Sequence, residues 1–395
     1  MAAAAPGRPP MTTASTQSVA RPGVIELSFG EPDPALFPAA GLAEACRKAL
    51  ADGGAEALPY GANAGPAALR ERLAEDLSAA EQRATGSDET LITGGASQGL
   101  DQLLTLFCRP GDTVLVERPT YSLALGVLRD HPVALEALPF DDEGLDVRAL
   151  ERRLVEARAT GRAVRALYTI PTFHNPTGIS LAAERRQRLV SVAAAYGLLV
   201  IEDDVYRELW YDGPAPPSLW SLAAPGTVLR LGSFAKTLAP GLRTGWLNAA
   251  PEQITRVAES GLSDSGGCPS QFAAVAVERF LRAGLYEPHV AELRAAYTTR
   301  RDALAAGLAA HLPAGCRFTV PAGGFFIWVS LPAGLRASSL LPAAETAGVS
   351  FVPAARSHLD GHDGGLRLAF ALYSPEQLAE AARRLGETIG AALGS

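Results

Sequence analysis

The sequence predicts an α/β fold: a large domain with a mostly parallel, doubly wound sheet, followed by a smaller α+β domain. Three observations predict it. From about residue 90, short apolar strands alternate with segments of helical period. The run "LLVIEDDVY" reads as a buried strand with acids at its end. After about residue 290 the texture changes to a long helix, paired strands and a last helix.

Taken in order, "ETLITGG" (Glu89–Gly95) is a strand ending in glycines. "ASQGLDQLLTLFC" is a helix with its apolar face at Leu100, Leu103, Leu104 and Phe107. Strands are predicted at "DTVLVERP", "VALEALP", "AVRALYTIP", "LLVIEDDVY", "TVLRLGSFA" and "TGWLNAA". Helices are predicted at "TYSLALGVLRD", "DVRALERRLVEAR" and "AAERRQRLVSVAAAYG", the last closed by Gly197. A long helix is predicted over Glu292–Leu312, then two strands around Gly323–Gly324, then "VSFVPA" and "GLRLAFAL". "SPEQ" opens the final helix, with Ser374 as N-cap, Pro375 first in the helix and Gln377 third. These readings divide the chain into a flexible tail (1–22), an amino-terminal segment (23–45) associated with the small domain and the site, a large domain (46–290) and a small domain (291–395).

The 395 residues carry a formal charge of −7, which argues against a nucleic-acid-binding face. Cys46, Cys108, Cys268 and Cys316 have no metal-binding spacing and suit reduced thiols in a cytosol. The first residues lack the apolar core of a signal peptide, and no run is long enough to span a membrane. A cytoplasmic protein is expected.

Ligands of open α/β sheets bind beyond the carboxyl ends of the strands. Four such ends carry polar signals. "TGGASQG" offers a backbone cradle and free helix N–H groups suited to a phosphate, although a plain turn would look the same. "HNPTG" follows a second strand and "EDDVY" ends a third. Asp203 there needs a cationic partner, which an ordinary arginine would also satisfy; a metal cluster ranks lower because no histidine accompanies it. "SFAK" ends a fourth strand, and Arg243 precedes the next. Only two of the 35 cationic side chains are lysine, Lys48 and Lys236. A chain that writes charge as arginine has a reason to keep lysine: an amine can lose its proton and form a Schiff base, and a guanidinium cannot.

These motifs together resemble the pyridoxal-5′-phosphate enzymes of fold type I, the aspartate aminotransferase superfamily. "SFAKTLAPGLRTGW", "HNPTG", "DDVY", "LPYGANAGPAALRERLA", "FGEPDPALFP" and "GLRLAF" match its motifs in order from about residue 25. "GGFFIWVSLP" and "PTFHNPTG" are most similar to the aminoadipate and kynurenine aminotransferase branch, which includes the catalytic domain of MocR-type regulators. The short low-complexity stretch before the match argues against a regulator.

The resemblance implies a catalytic set of Lys236, Asp203 and Tyr121. Lys236 carries the cofactor as a Schiff base and then moves the substrate α-proton. Asp203 pairs with the pyridine nitrogen. Tyr121 stacks on the ring, and Asn175 and Tyr206 bond its phenolic oxygen. Gly95, Ala96, Ser97, Gln98, Ser233 and Arg243 hold the phosphate. Tyr60 reaches the phosphate of a neighbouring subunit, which implies a homodimer with shared sites. Arg367 takes the substrate carboxylate, with Asn175 and Gly30 beside it.

There are departures. Ala235 stands where serine is usual. His174 precedes the asparagine, either to touch substrate or to pack. Neither "SDSGGCPSQ" nor the loop "FGEPDPALFP" contains an arginine for an acidic side chain. The expected reaction is therefore transamination between a neutral, aromatic or unusual amino acid and a 2-oxo acid. The alternative is elimination, substitution or carbon–carbon bond formation on the same cofactor, including on S-adenosylmethionine. A binding module without turnover is a third reading, opposed by the complete residue set. A nicotinamide dehydrogenase lacks its glycine fingerprint.

Overall fold

The computed structural model describes residues 21–51, 54–81 and 83–394. Residues 1–20, most of the expected tail, lie outside the described residues. The first strand, β1 (Ile25–Glu26), belongs to the small unit. The large sheet follows: β2 (Thr90–Thr93), β3 (Thr113–Arg118), β4 (Ala134–Asp141), β5 (Gly144–Leu145), β6 (Val164–Thr169), β7 (Leu199–Asp203), β8 (Val228–Ser233) and β9 (Gly245–Asn248). Its order is β2-β9-β8-β7-β6-β3-β4-β5. β4, β3, β6, β7 and β8 run parallel; β5 is antiparallel to β4, and β9 is antiparallel to both β8 and β2.

The direction of β9 has a local cause. The chain turns back straight after β8, through a short connection that pairs Ser233 with Gly245. A parallel partner would need a crossover. The return is tight: a Cβ on Gly232 would lie 2.1 Å from the Trp246 ring, so only glycine fits there.

The pleat sorts side chains into two cores. Val114 and Val116 pack with Leu100, Leu103 and Leu104 on one face. Leu115 packs with Leu150, Leu154 and Leu167 on the other. Helices Ala96–Phe107 and Val147–Thr160 close these two layers. Gly197 ends the helix Ala183–Tyr196 in the left-handed region, at φ 66°.

The small unit has the antiparallel order β10 (Arg317–Phe318), β11 (Phe326–Ser330), β14 (Gly365–Ala369), β13 (Val352–Pro353). β1 pairs in parallel with β12 (Val349–Ser350), so the amino-terminal segment is stitched into this unit. The long helix is Tyr286–His311, beginning six residues before the sequence places it. Pro288 lies in its first turn, where a missing N–H costs nothing, and the Tyr286 hydroxyl donates to Thr237 at 2.8 Å. Ser374 caps the helix Pro375–Leu393 by accepting from the Gln377 N–H. No described helix is long and apolar enough to cross a membrane, and the four cysteines are free thiols.

Strand ends beside the site are tied by a buried charge cluster. Arg230 of β8 reaches Asp204 at 2.9 Å and also pairs with Glu81; these side chains are 2%, 0% and 1% exposed. Arg207 pairs with Asp204 at 2.6 Å. Removing one cation leaves two buried carboxylates sharing the other. Arg230→Met is therefore expected to lower stability by about 3–5 kcal/mol, read as a shifted denaturant midpoint; a shift within error would show that the cluster adds no net stability.

Candidate active site

The carboxyl ends of β3, β6, β7 and β8 meet where the strand order reverses, because the chain moves from β3 outward to β4 and then returns to β6. Tyr121 follows β3, Asn175 follows β6, Asp203 ends β7, Ser233 ends β8 and Lys236 follows it by three residues. With Ala96, Ser97, Tyr206 and Arg243 they line one cavity of ≈ 650 Å³. A second space of ≈ 180 Å³ shares Tyr121, Asn175, Tyr206 and Lys236 with it and adds Gly30 and Arg367. The latter two come from the amino-terminal segment and β14, so the site lies between the two units.

At the floor, Asp203 accepts a 2.7 Å bond from the Tyr168 hydroxyl on its Oδ2. Its Oδ1 is buried with no partner. Burial raises this carboxyl to about 6, against the pull of the Tyr168 bond. Lys236 lines the cavity and is partly accessible from it, yet lies deep beneath the surrounding protein. Burial lowers its pKa to about 8, with the Glu31 charge pushing the other way. Its Nζ donates to the Gly30 carbonyl at 2.7 Å.

At the other end, Gly94 and Gly95 open the helix Ala96–Phe107, with Gly95 at φ 86°. A Cβ on Gly95 would lie 2.5 Å from the Arg243 guanidinium, so glycine keeps that cation against the helix start. Arg243 itself sits at φ 48°, just past the short turn Pro240–Leu242. It donates to the Gly94 carbonyl at 3.1 Å. Free helix N–H groups beside a guanidinium form an anion site.

Other residues are placed differently from expectation. Gln98 does not line the cavity: its Oε1 accepts from the Gly94 N–H at 3.0 Å and its Nε2 donates to Gln102. Its side chain is engaged by the turn, whereas Ser97 and Arg243 line the cavity. The Ser233 Oγ accepts from the Ala235 N–H at 3.1 Å. His174 does not touch the cavity: it is fully buried, 3.1 Å from Glu117, bonded to Thr177 and stacked on Phe140. Tyr60 is 80% exposed. Tyr168 and Glu117 were not singled out from the sequence; the signal was a polar side chain inside or just after a buried strand. Glu202 and Asp204, beside Asp203, have structural partners. Glu202 caps the helix Leu219–Leu222, and Asp204 joins the arginine cluster.

Arg367 closes the smaller space. It is buried, donates to the Asn175 Oδ1 at 2.9 Å and to the Ser28 carbonyl at 2.6 Å, and lies over the Phe326 ring. Its Nε has no partner.

A carboxylate with an orphaned oxygen, an amine whose pKa is lowered to about 8 by burial, and an anion cradle at the far end fit a phosphorylated, cationic heteroaromatic aldehyde. With the β/α architecture they define a pyridoxal-phosphate-dependent transferase of fold type I. A family model, aminotransferase class I and II, matches residues 22–385. The chain belongs to that family and is a pyridoxal-phosphate-dependent aminotransferase. It is 35% identical to the aromatic-amino-acid aminotransferase 1 of Thermococcus litoralis, over 93% of this chain and 88% of that protein. It is 36% identical to the 2-aminoadipate transaminase of Thermus thermophilus, over 93% and 91%. Among solved structures, the Pyrococcus horikoshii kynurenine aminotransferase superposes with a TM-score of 0.90 at 35% identity, over 94% of this chain and 92% of that one.

One chemical check follows from the depressed Lys236 value. In the cofactor-free protein, acylation of Lys236 followed by peptide mass spectrometry is expected to rise with a midpoint near pH 8. Because the folded value lies below the ordinary 10.5, the unfolded chain binds the extra proton between these pH values. This group's contribution to stability therefore rises with pH across that window. A reactivity midpoint in the ordinary lysine range would contradict the buried site.

Proposed function

We propose that this aminotransferase moves nitrogen from a neutral or aromatic amino acid to a 2-oxo acid. The single observation that carries the reading is Arg367, a buried guanidinium with an unpartnered Nε, in the same small space as the Lys236 amine. A bidentate carboxylate there leaves the substrate α-carbon beside Lys236. The Phe326, Val352 and Leu123 side chains line that space and suit an apolar substituent.

Roles follow from placement. The cofactor, when bound, supplies an electron-withdrawing ring that stabilises negative charge developing at the α-carbon. Asp203 offers its free oxygen to the ring N–H and keeps that proton in place; the new cation would in turn lower the carboxyl's own pKa. Tyr121 would cover the ring, and Tyr206 and Asn175 would bond its oxygen. Gly95, Ala96, Ser97, Ser233 and Arg243 would hold the phosphate. Lys236, near its own pKa at neutral pH, takes and returns the α-proton. The named relatives are aminotransferases, so elimination or substitution chemistry is not favoured. A homodimer in cytoplasm is part of the reading. Tyr60 is 80% exposed beside Leu58 at 66%, which leaves an apolar surface for a second copy to cover.

Borohydride reduction of the loaded protein is expected to leave the cofactor covalently on Lys236, and Lys236→Ala to abolish that adduct. A neutral or aromatic amino acid added without acceptor is then expected to bleach the visible band and release its 2-oxo acid. Arg367→Met is expected to raise the donor KM by about 100-fold or more through loss of two charged hydrogen bonds. Bleaching without release of the 2-oxo acid would reject transamination.

A further inference from the structure

One cation beside the substrate space takes no part in holding the cofactor or the α-carboxylate. Arg356 lies in the short turn Ala354–Ser357 after β13 and lines the same ≈ 180 Å³ space as Arg367, Lys236, Glu31 and Phe326. Its side chain is exposed, and among the described residues no hydrogen bond or ion pair engages it. Its charge reaches Arg367: burial is the main force lowering the pKa of that guanidinium, and repulsion from Arg356 acts in the same direction. Two guanidinium groups facing one confined space repel until anionic groups lie between them or on each. Arg367 is fixed by Asn175 and Ser28; Arg356 is not. Glu31 lines the same space, but its charge acts on Lys236.

We propose that Arg356 is a specificity-determining residue that binds the distal carboxylate of a dicarboxylic 2-oxo acid, the nitrogen acceptor, while Arg367 holds its α-carboxylate. The amino acid formed from that acceptor is held in the same way. Phe326 and Val352 serve the neutral donor in the other half of the reaction. This deepens the proposed transamination and rests on it. It also supplies a cation for an acidic substrate group from the small unit, in place of the arginine that "SDSGGCPSQ" and "FGEPDPALFP" lack.

The test compares Arg356→Gln with the wild-type holoenzyme. Calorimetric titration with glutarate, an unreactive dicarboxylate, is set against pentanoate, a monocarboxylate of the same length. The glutarate Kd is expected to weaken about 10- to 100-fold and the ratio of glutarate to pentanoate affinity to fall by the same factor. The ratio of kcat/KM for 2-oxoglutarate over pyruvate is expected to fall about as far. Unchanged ratios would overturn the proposal. So would an equal loss for both acids, since that places Arg356 on the α-carboxylate. Release of a 2-oxo acid from a neutral donor by the wild-type protein, with no acceptor present, checks the underlying reading separately. Its failure would reject the transamination, while the glutarate titration would still report on Arg356.

Discussion

The site depends on keeping a carboxylate and an amine buried close to each other without letting them pair. Asp203 is bonded to Tyr168, and Lys236 to the carbonyl of Gly30. Had they formed an ion pair, each would have stabilised the other's charge, driving the acid down and the amine up. Burial instead moves both toward neutrality, to about 6 and about 8. Each therefore retains an unsatisfied demand that a cofactor with a ring N–H and an aldehyde meets. Tyr168 takes one carboxylate oxygen and leaves the other open, and Gly30 orients the amine without neutralising it.

That separation is maintained by the scaffold. Three consecutive acids at the end of β7 have three different partners. Glu202 caps a helix behind the sheet, Asp203 faces the cavity, and Asp204 joins Arg230 and Arg207. The pleat enforces part of this alternation, since neighbouring residues on a strand point to opposite faces. The arginine cluster then ties the end of β7, which carries Asp203, to β8, which leads into Lys236. On the opposite side, Arg367 is positioned by Asn175 from one unit and by Ser28 from the amino-terminal segment. That guanidinium is therefore held across the junction between the units.

Much of this was legible from residue patterns. Strand and helix alternation, the Gly197 cap and the "SPEQ" start depend on local chemistry and appear where the pattern places them. Lys236, Asp203, Asn175, Tyr121 and Arg243 line one cavity, since each follows a strand end on the same edge of the sheet. Other features depend on which partners the folded chain sets beside a polar group. Gln98 looked like an anion donor, but its amide is taken up by Gly94 and Gln102. His174, beside Asn175 in sequence, points away into a pocket made by Glu117, Thr177 and Phe140. The early start of Tyr286–His311 follows from a tyrosine that bonds Thr237, far away in the chain.

By itself, then, the sequence determined the order of elements, the chemistry at each strand end and the need for a deprotonatable amine in a chain otherwise rich in arginine. These are properties of periodicity and of side-chain type. Tertiary structure decided which polar groups are left unpaired. It decided that one oxygen of Asp203 has no partner, that Gln98 and His174 are spent on the scaffold, and that Arg356 comes to stand beside Arg367. The reason is physical: a pKa and a binding site depend on what surrounds a group in space, and those surroundings combine near neighbours, such as Thr177 beside His174, with distant segments, such as Gly30 beside Lys236.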